Sequence, residues 1–193
     1  MKTFVEIGSC DFDTCNPLAE QGWRGVIVEP VKKYLNNLEQ HSNVIYLNMA
    51  IHNHDGWMLL YPYTDEQCEE DKDYRGMTTY QLRDTTRQYE LAVRCISYQT
   101  LIRLCGFHRI DLLKIDAEGM DFLILEQAFH QGMPKPIEII VEHKYLDDVM
   151  MCEFLSSQGY TWRIDESNIY AKMHGAWAEK QAEEKDMHTK EKS

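Results

Sequence analysis

The stretch that most constrains the fold is residues 110–121, which read IDLLKIDAEGMD. It begins as a short apolar run, which is typical of a strand buried on both faces of a parallel sheet. Two carboxylates, Asp116 and Glu118, follow at once, and a helical hydrophobic period then begins at Met120. A buried strand that ends in acids places charge where open α/β sheets bind their ligands. The alternative is a plain strand-to-helix turn, in which Glu118 and Asp121 only favour the helix dipole.

Strand patterns and helix patterns alternate along the rest of the chain. Strands are predicted at 3–7, 25–30, 44–50, 57–61, 91–96, 110–115, 136–143, 160–164 and 168–172. Helices are predicted at 18–21, 31–40, 100–105, 120–128 and 147–158. The pair Asp55-Gly56 indicates a hairpin between the third strand and 57–61, and the last two strands suit an antiparallel pair. The order predicts a single α/β domain with a doubly wound, mostly parallel sheet.

We expect the domain to span residues 1–173 and the charged stretch 174–193 to be a disordered tail. Within the domain, residues 62–89 show no clear period, which is typical of a functional or partly disordered loop. Six residues in and beside this stretch either line an acceptor pocket or are ordinary loop residues: Tyr61, Tyr63, Arg75, Thr78, Thr79 and Tyr80.

Composition excludes some partners. The formal net charge of -12 argues against binding to nucleic acid, which needs clustered Lys and Arg. No apolar run approaches the roughly 18 residues of a membrane span. The six cysteines form no C-x-x-C pair and no zinc spacing, and the first strand begins too early for a signal peptide. We therefore expect a cytoplasmic protein with reduced thiols and no membrane partner.

Three of the predicted strands end in acids, namely Glu29, Asp116 and Glu142. Glu29 lies about 20 residues beyond the turn at Gly8, the spacing at which an acid meets a nucleotide ribose. A carboxylate suits that position because it accepts hydrogen bonds from both vicinal hydroxyls. The alternative for Glu29 is a surface acid at a strand end.

The turn at Gly8 argues against a dinucleotide. A G-x-G-x-x-G fingerprint is absent, because Cys10 and Asp13 occupy the later glycine positions. Asp11 and Asp13 would also repel a pyrophosphate. An uncharged or zwitterionic nucleoside fits better, which favours S-adenosylmethionine over NAD.

Four segments together resemble the FkbM-type family of S-adenosylmethionine-dependent methyltransferases. They read VEIGS at 5–9, GWRGVIVEP at 22–30, LKIDAEG at 113–119 and VEH at 141–143. The resemblance implies a class I methyltransferase fold, which is Rossmann-like, and methyl transfer to a hydroxyl of a sugar, glycan or natural product. The sequence departs from the family pattern at four positions in or just after the first of the four segments. The family has Asp at the position of Glu6, Ala at Ser9, Asn or His at Cys10, and Gly at Phe12.

The resemblance also implies roles for residues. Glu6 and Gly8 would lie beside the methionine part of the cofactor, Glu29 at the ribose, and Asn48 and Ala50 near the adenine. The full candidate cofactor-binding set is Glu6, Gly8, Ser9, Cys10, Asp11, Glu29, Pro30, Asn48, Ala50 and Asp116. The candidate catalytic residues are Asp116, Glu118 and His143.

The residues that end the predicted strands at 110–115 and 136–143 have two alternative catalytic roles. His143 is a candidate general base, since its pKa suits neutral operation. In related class I O-methyltransferases, acids at these positions hold a divalent metal, so Asp116 and Glu142 are alternatively candidate ligands for Mg²⁺. The third alternative is that His143 only caps a strand end.

Two other functions compete with methyl transfer. A nucleotide-dependent oxidoreductase would need the glycine-rich pyrophosphate turn that the sequence lacks. A non-catalytic binding module of the same fold is favoured by the altered turn from Gly8 to Asp13. The chain begins at the first strand, so either the site is open or a second subunit of a homo-oligomer covers it.

Overall fold

The computed structural model describes residues 1–12, 14–81, 88–144 and 146–175. Most of the predicted tail, residues 176–193, lies outside the described residues, as does Asp13. The described strands are β1 (Thr3–Ile7), β2 (Arg24–Val28), β3 (Val44–Leu47), β4 (Ala50–Ile51), β5 (Gly56–Pro62), β6 (Thr78–Thr79), β7 (Leu91–Ile96), β8 (Leu112–Ile115), β9 (Glu138–Glu142), β10 (Tyr160–Ile164) and β11 (Asn168–Met173). The described α-helices are α1 (Asn16–Glu20), α2 (Lys32–Asn37), α3 (Asp65–Glu70), α4 (Tyr98–Cys105), α5 (Asp121–Ala128) and α6 (Asp148–Ser157).

The larger sheet has seven strands in the order β10-β11-β9-β8-β1-β2-β3. Neighbours from β9 to β3 pair in parallel, whereas β11 runs antiparallel to both β9 and β10. The α/β class and the closing antiparallel pair are confirmed, and the sheet as a whole is mixed. Strand β1 lies between β2 and β8, so the turn after β1 faces the ends of both neighbours.

Alternate side chains of β1 enter two different cores. Val5 and Ile7 belong to the main core, which also contains buried residues of α4, α5 and α6. Phe4 belongs to a smaller core with residues of α1 and α2. This period of two fixes the register of the central strand, because a shift by one residue would exchange the two sets.

The smaller sheet differs from the sequence prediction. The predicted strand at 44–50 is two strands, and β4 joins the second sheet, whose order is β4-β7-β5-β6. The predicted hairpin across Asp55-Gly56 is wrong, because Cys95 of β7 pairs with Ala50 on one side and with Gly56 on the other. A strand that comes about 40 residues later in the chain therefore separates β4 from β5.

The stretch without a sequence period contains a defined structure, which we call the cover segment (residues 64–81). Thr64 caps α3 by accepting a hydrogen bond from the Gln67 amide. A 3₁₀-helix (Lys72–Tyr74) and β6 follow. Lys33 pairs with Asp65, and the rings of Tyr63 and Tyr74 stack with centroids 4.4 Å apart. Polar and aromatic contacts thus hold the segment against the domain.

The structure also bears on membrane spans and on the cysteines. Within the part of the chain that the structure describes, no helix is long and apolar enough to cross a membrane. All six cysteines are free thiols, and five of them are buried.

The contact between β1 and β2 yields a stability prediction. A Cβ atom added to Gly25 would lie 2.1 Å from the Cζ atom of the fully buried Phe4 ring. Overpacking of this kind costs about 1–3 kcal/mol. We expect Gly25→Ala to lower the free energy of unfolding by that amount in urea titrations. Adding Phe4→Leu should make the double variant less destabilised than the sum of the two single changes. Purely additive losses would contradict the contact.

Candidate active site

A cavity of about 460 Å³ opens at the carboxyl ends of the central strands. The large sheet contributes the ends of β1, β2, β8 and β9, and the small sheet and the cover segment complete the wall. The lining residues from the large sheet and its turns are Ile7, Gly8, Ser9, Cys10, Phe12, Val28, Glu29, Pro30, Asp116, Ala117, Glu118, Met120, Glu142 and Lys144. Those from the small sheet and the cover segment are Met49, Ala50, Ile51, Met58, Leu60, Lys72, Arg75, Gly76, Met77 and Thr78.

The turn after β1 depends on Gly8. Its φ is +78°, and a Cβ atom there would lie 1.7 Å from the carbonyl oxygen of Asp116. Its N–H donates to the carbonyl of Val28 at 2.9 Å, and the Asp116 N–H donates to the carbonyl of Ile7 at 2.9 Å. The backbones that follow three adjacent strands therefore meet at one point, and only glycine fits there.

Glu29 closes this turn with both carboxylate oxygens. Oε2 accepts from the Cys10 N–H at 2.8 Å, and Oε1 accepts from the Val31 N–H at 2.7 Å. The side chain lines the cavity although the residue is only 5% exposed. Burial raises the pKa of Glu29 to about 7 against the lowering effect of the two amides, and Asp116 and Asp11 raise it further. Each oxygen keeps a lone pair with which it can accept a further hydrogen bond.

Glu6 is buried beneath the turn and is not among the residues that line the cavity. Its carboxylate accepts from the Thr14 hydroxyl at 2.7 Å and from the Cys15 N–H at 2.9 Å. The Lys114 ammonium lies 3.4 Å away. Burial raises the pKa of Glu6, while Lys114 and these hydrogen bonds oppose the rise. These contacts show Glu6 holding the turn, and its place beside the methionine part of a cofactor stays a prediction.

The remaining candidates for cofactor binding divide into two groups. Ser9, Cys10, Pro30 and Ala50 line the cavity. Asn48 and Asp11 are not in its lining.

Those two residues hold the cavity wall in place. The Asn48 amide donates to the carbonyls of Glu29 and Pro30 at 3.0 and 2.8 Å, which ties the end of β2 to the chain after β3. Asp11 accepts from Asn37 at 2.7 Å and from Arg75 at 2.6 Å.

Three carboxylates form a cluster at the ends of β8 and β9. Ligand atoms of Asp116, Glu118 and Glu142 all lie within 4.8 Å of one another. Glu142 Oε2 is buried and accepts no hydrogen bond within the described part of the chain. Burial, and then the charges of Asp116 and Glu118, raise the pKa of Glu142 to about 8. The cluster therefore favours a proton or another positive charge at its centre.

Asp121 shapes the turn that carries two of these acids. It is fully buried, and its oxygens accept from the N–H groups of Ala117 at 2.7 Å and Gly119 at 2.9 Å. Between them Glu118 adopts a φ of +48°, a conformation that a non-glycine residue rarely takes. Such strain is common at ligand sites, where surrounding contacts hold it in place.

His143 does not reach the cavity. Its Nε2–H donates to the carbonyl of Asp165 at 3.0 Å, and its backbone N–H donates to the carbonyl of Ser167 at 2.9 Å. The ring therefore ties the end of β9 to the turn between β10 and β11. This arrangement agrees with the alternative in which His143 only caps the strand end.

The cover segment holds the residues that sequence reasoning found least well. Of the six residues predicted for an acceptor pocket, Arg75 and Thr78 line the cavity. Lys72, Gly76 and Met77 also line it and were missed. One sequence signal was available for these residues: Gly76 follows the basic residue Arg75 in a stretch that has no hydrophobic period.

The carboxylate cluster predicts a pH effect on stability. Because the pKa of Glu142 is raised in the folded protein, folding favours its protonated form, and that stabilisation is lost as pH rises from about 4.5 to about 8. Glu142→Gln removes the titration, so the melting temperature of this variant should gain on the wild type between pH 5 and pH 8. Glu153→Gln removes a charge from an exposed position and serves as control. A constant difference across the pH range would refute the clustering of charge.

The model of the methyltransferase FkbM domain matches residues 6–161, which run from the end of β1 to the start of β10 and include the turn at Gly8 and the carboxylate cluster. Neither curated proteins nor solved structures gave a match. Because the match covers well over half of the 193 residues, the chain belongs to the FkbM methyltransferase domain family.

Proposed function

We propose that this chain is an S-adenosylmethionine-dependent O-methyltransferase that acts on a hydroxyl of a small molecule, sugar or glycan. The observation that carries the proposal is the pairing of two features in one cavity. Glu29 offers lone pairs at the end of β2, and the cluster of Asp116, Glu118 and Glu142 lies at the ends of β8 and β9. We also propose that the domain has the class I, Rossmann-like methyltransferase fold. The strand order of the large sheet supports this assignment.

The charges of the lining residues and the volume of the cavity support this cofactor. Glu29 would accept hydrogen bonds from the ribose hydroxyls, and the apolar wall of Met49, Ala50 and Ile51 would receive the adenine. A volume of about 460 Å³ lies within the usual range of small-molecule sites. When bound, S-adenosylmethionine supplies an electrophilic methyl group on a sulfonium cation. A cation is the charge that the carboxylate cluster favours, whereas a pyrophosphate would be repelled by it.

The carboxylate cluster would accept the proton of the acceptor hydroxyl. Asp116 and Glu118 lie at the same cavity edge as Glu142, whose pKa is raised to about 8, so the three carboxylates together can take up a proton near neutral pH. A base with a pKa near the working pH is the most effective one. Alignment of acceptor and methyl group is the other contribution of the protein. The alternative is that Asp116 and Glu142 hold Mg²⁺, which would lower the pKa of the hydroxyl instead.

Binding tests separate the proposal from its rivals. Calorimetry with S-adenosylmethionine, S-adenosylhomocysteine and NAD should show binding of the first two ligands only. Binding of NAD instead would favour the oxidoreductase. Binding of both nucleosides without methyl transfer to any of a panel of hydroxyl acceptors would favour the non-catalytic module.

Substitution of Glu29 tests the ribose contact. A hydrogen bond to a charged group contributes about 1.5–3 kcal/mol, so Glu29→Ala and Glu29→Gln should each weaken S-adenosylhomocysteine binding at least tenfold. Because the ionised carboxylate is the better acceptor, wild-type affinity should rise as pH increases through about 7. The affinity of the glutamine variant should stay level. Glu20→Gln, an exposed change on α1, is the control. Unchanged affinity in both Glu29 variants would remove the assignment.

Substitution of Asp116 tests the catalytic cluster. Loss of a general base costs typically 10²–10⁴-fold in rate, so Asp116→Asn should lose at least about a hundredfold in turnover while it still binds S-adenosylhomocysteine. His143→Ala should change turnover only slightly, because its ring bonds to Asp165 outside the cavity lining. Activity that survives EDTA would exclude the Mg²⁺ alternative. A hundredfold loss in His143→Ala would instead restore the histidine as the base.

A further inference from the structure

We propose that Arg75 binds the carboxylate of the amino-acid part of the cofactor. The inference rests on the proposed function and extends it to a residue of the cover segment. It assigns the part of the ligand that remains after the adenine at the apolar wall, the ribose at Glu29 and the reacting end at Asp116. The sequence left this position open, because Arg75 lies in the stretch without a recognisable period.

The cover segment contacts the turn that follows β1 (residues 8–12), which we call the cofactor turn because of its proposed role. A Cβ atom added to Gly76 would lie 3.3 Å from Cys10 Sγ and 3.4 Å from the Cζ atom of Phe12. The φ of Gly76 is +90°, so glycine satisfies both the backbone conformation and the close approach. The side chain of Arg75 therefore begins beside the turn that follows β1, where the resemblance places the methionine part.

An ion pair holds Arg75 at that place. Its Nη2 atom lies 2.6 Å from Asp11 Oδ2, and the Asp11 side chain is only 3% exposed. The guanidinium carbon lies 6.0 Å from the centroid of the Phe12 ring. The Arg75 side chain nevertheless stays 47% exposed and lines the cavity. A guanidinium has five N–H donors in one plane, so the pair with Asp11 leaves donors for a second carboxylate.

The distribution of charge favours a cofactor contact over an acceptor contact. The cationic residues of the cavity lining are Lys72, Arg75 and Lys144. Lys144 lowers the pKa of Glu142 and so lies at the reacting end, whereas the charge that acts on Arg75 is that of Asp11. Arg75 is thus a lining cation that an ion pair with Asp11 fixes to the cofactor turn. Without a cation there, the acids of the cavity would repel an amino-acid carboxylate.

Two ligands that differ in the amino-acid part test the assignment. S-Adenosylhomocysteine carries the carboxylate, whereas 5′-methylthioadenosine keeps the nucleoside and the thioether without it. We expect Arg75→Gln to weaken S-adenosylhomocysteine binding about tenfold or more in calorimetry and to leave methylthioadenosine binding within about twofold. Arg75→Lys keeps the charge but loses the planar fork, so its loss should be intermediate. Arg94→Gln, over the Trp57 ring on the small sheet, is the control for loss of an arginine.

Other outcomes would overturn the assignment of Arg75. An equal loss for both ligands would show that Arg75 only holds the turn through Asp11, and unchanged binding of both would show no role; either result overturns the assignment. If wild-type protein binds neither nucleoside, the proposed function fails and the assignment fails with it. If Arg75→Gln melts at a lower temperature than the wild type, Arg75→Lys replaces it in the test. Binding of S-adenosylhomocysteine to Arg75→Lys should then fall relative to binding of methylthioadenosine, and an unchanged ratio of the two affinities overturns the assignment.

Discussion

The contact between Gly8 and the carbonyl of Asp116 is the constraint on which the site depends. It lets the chain after β1 cross the end of β8 without a side chain between them. That crossing brings the Cys10 N–H to Glu29 and leaves Asp116 at the cavity edge. A Cβ atom at position 8 would overlap the carbonyl oxygen of Asp116, so a larger residue would force the two backbones apart. The geometry of the site therefore depends on this backbone contact as well as on the carboxylates that hold the turns.

The buried acids near the cavity differ in the hydrogen bonds that their carboxylates accept. Glu6 and Asp121 accept backbone hydrogen bonds that shape the two turns, so their charge serves the fold. Glu29 does both, since it closes a turn and still faces the cavity. Glu142 has a buried oxygen with no hydrogen bond in the described chain. An acid that the fold leaves unsatisfied is a candidate for binding or catalysis, because burying it is otherwise unfavourable.

The sequence predicted what local patterns encode and failed where distant segments decide. Acids at the ends of buried strands identified Glu29, Asp116 and Glu142, because parallel strands share one ligand edge. The pairing of β4 and β5 could not be predicted, since β7 inserts between them from much later in the chain. His143 was expected to share the site with Glu142, but it follows the end of β9 and its ring bonds to the carbonyl of Asp165, so of these two residues Glu142 alone lines the cavity. The cover segment has polar and aromatic contacts, which leave no hydrophobic period to detect.

Phe12, where the sequence departs from the family that it resembles, lies close to the cover segment. Its side chain is about half exposed and lines the cavity. A Cβ atom added to Gly76 would lie 3.4 Å from its ring, and the guanidinium carbon of Arg75 lies 6.0 Å from the ring centroid. The bulky residue of the turn and the glycine of the cover segment therefore pack side by side. The altered turn thus keeps a defined contact with a second segment of the chain.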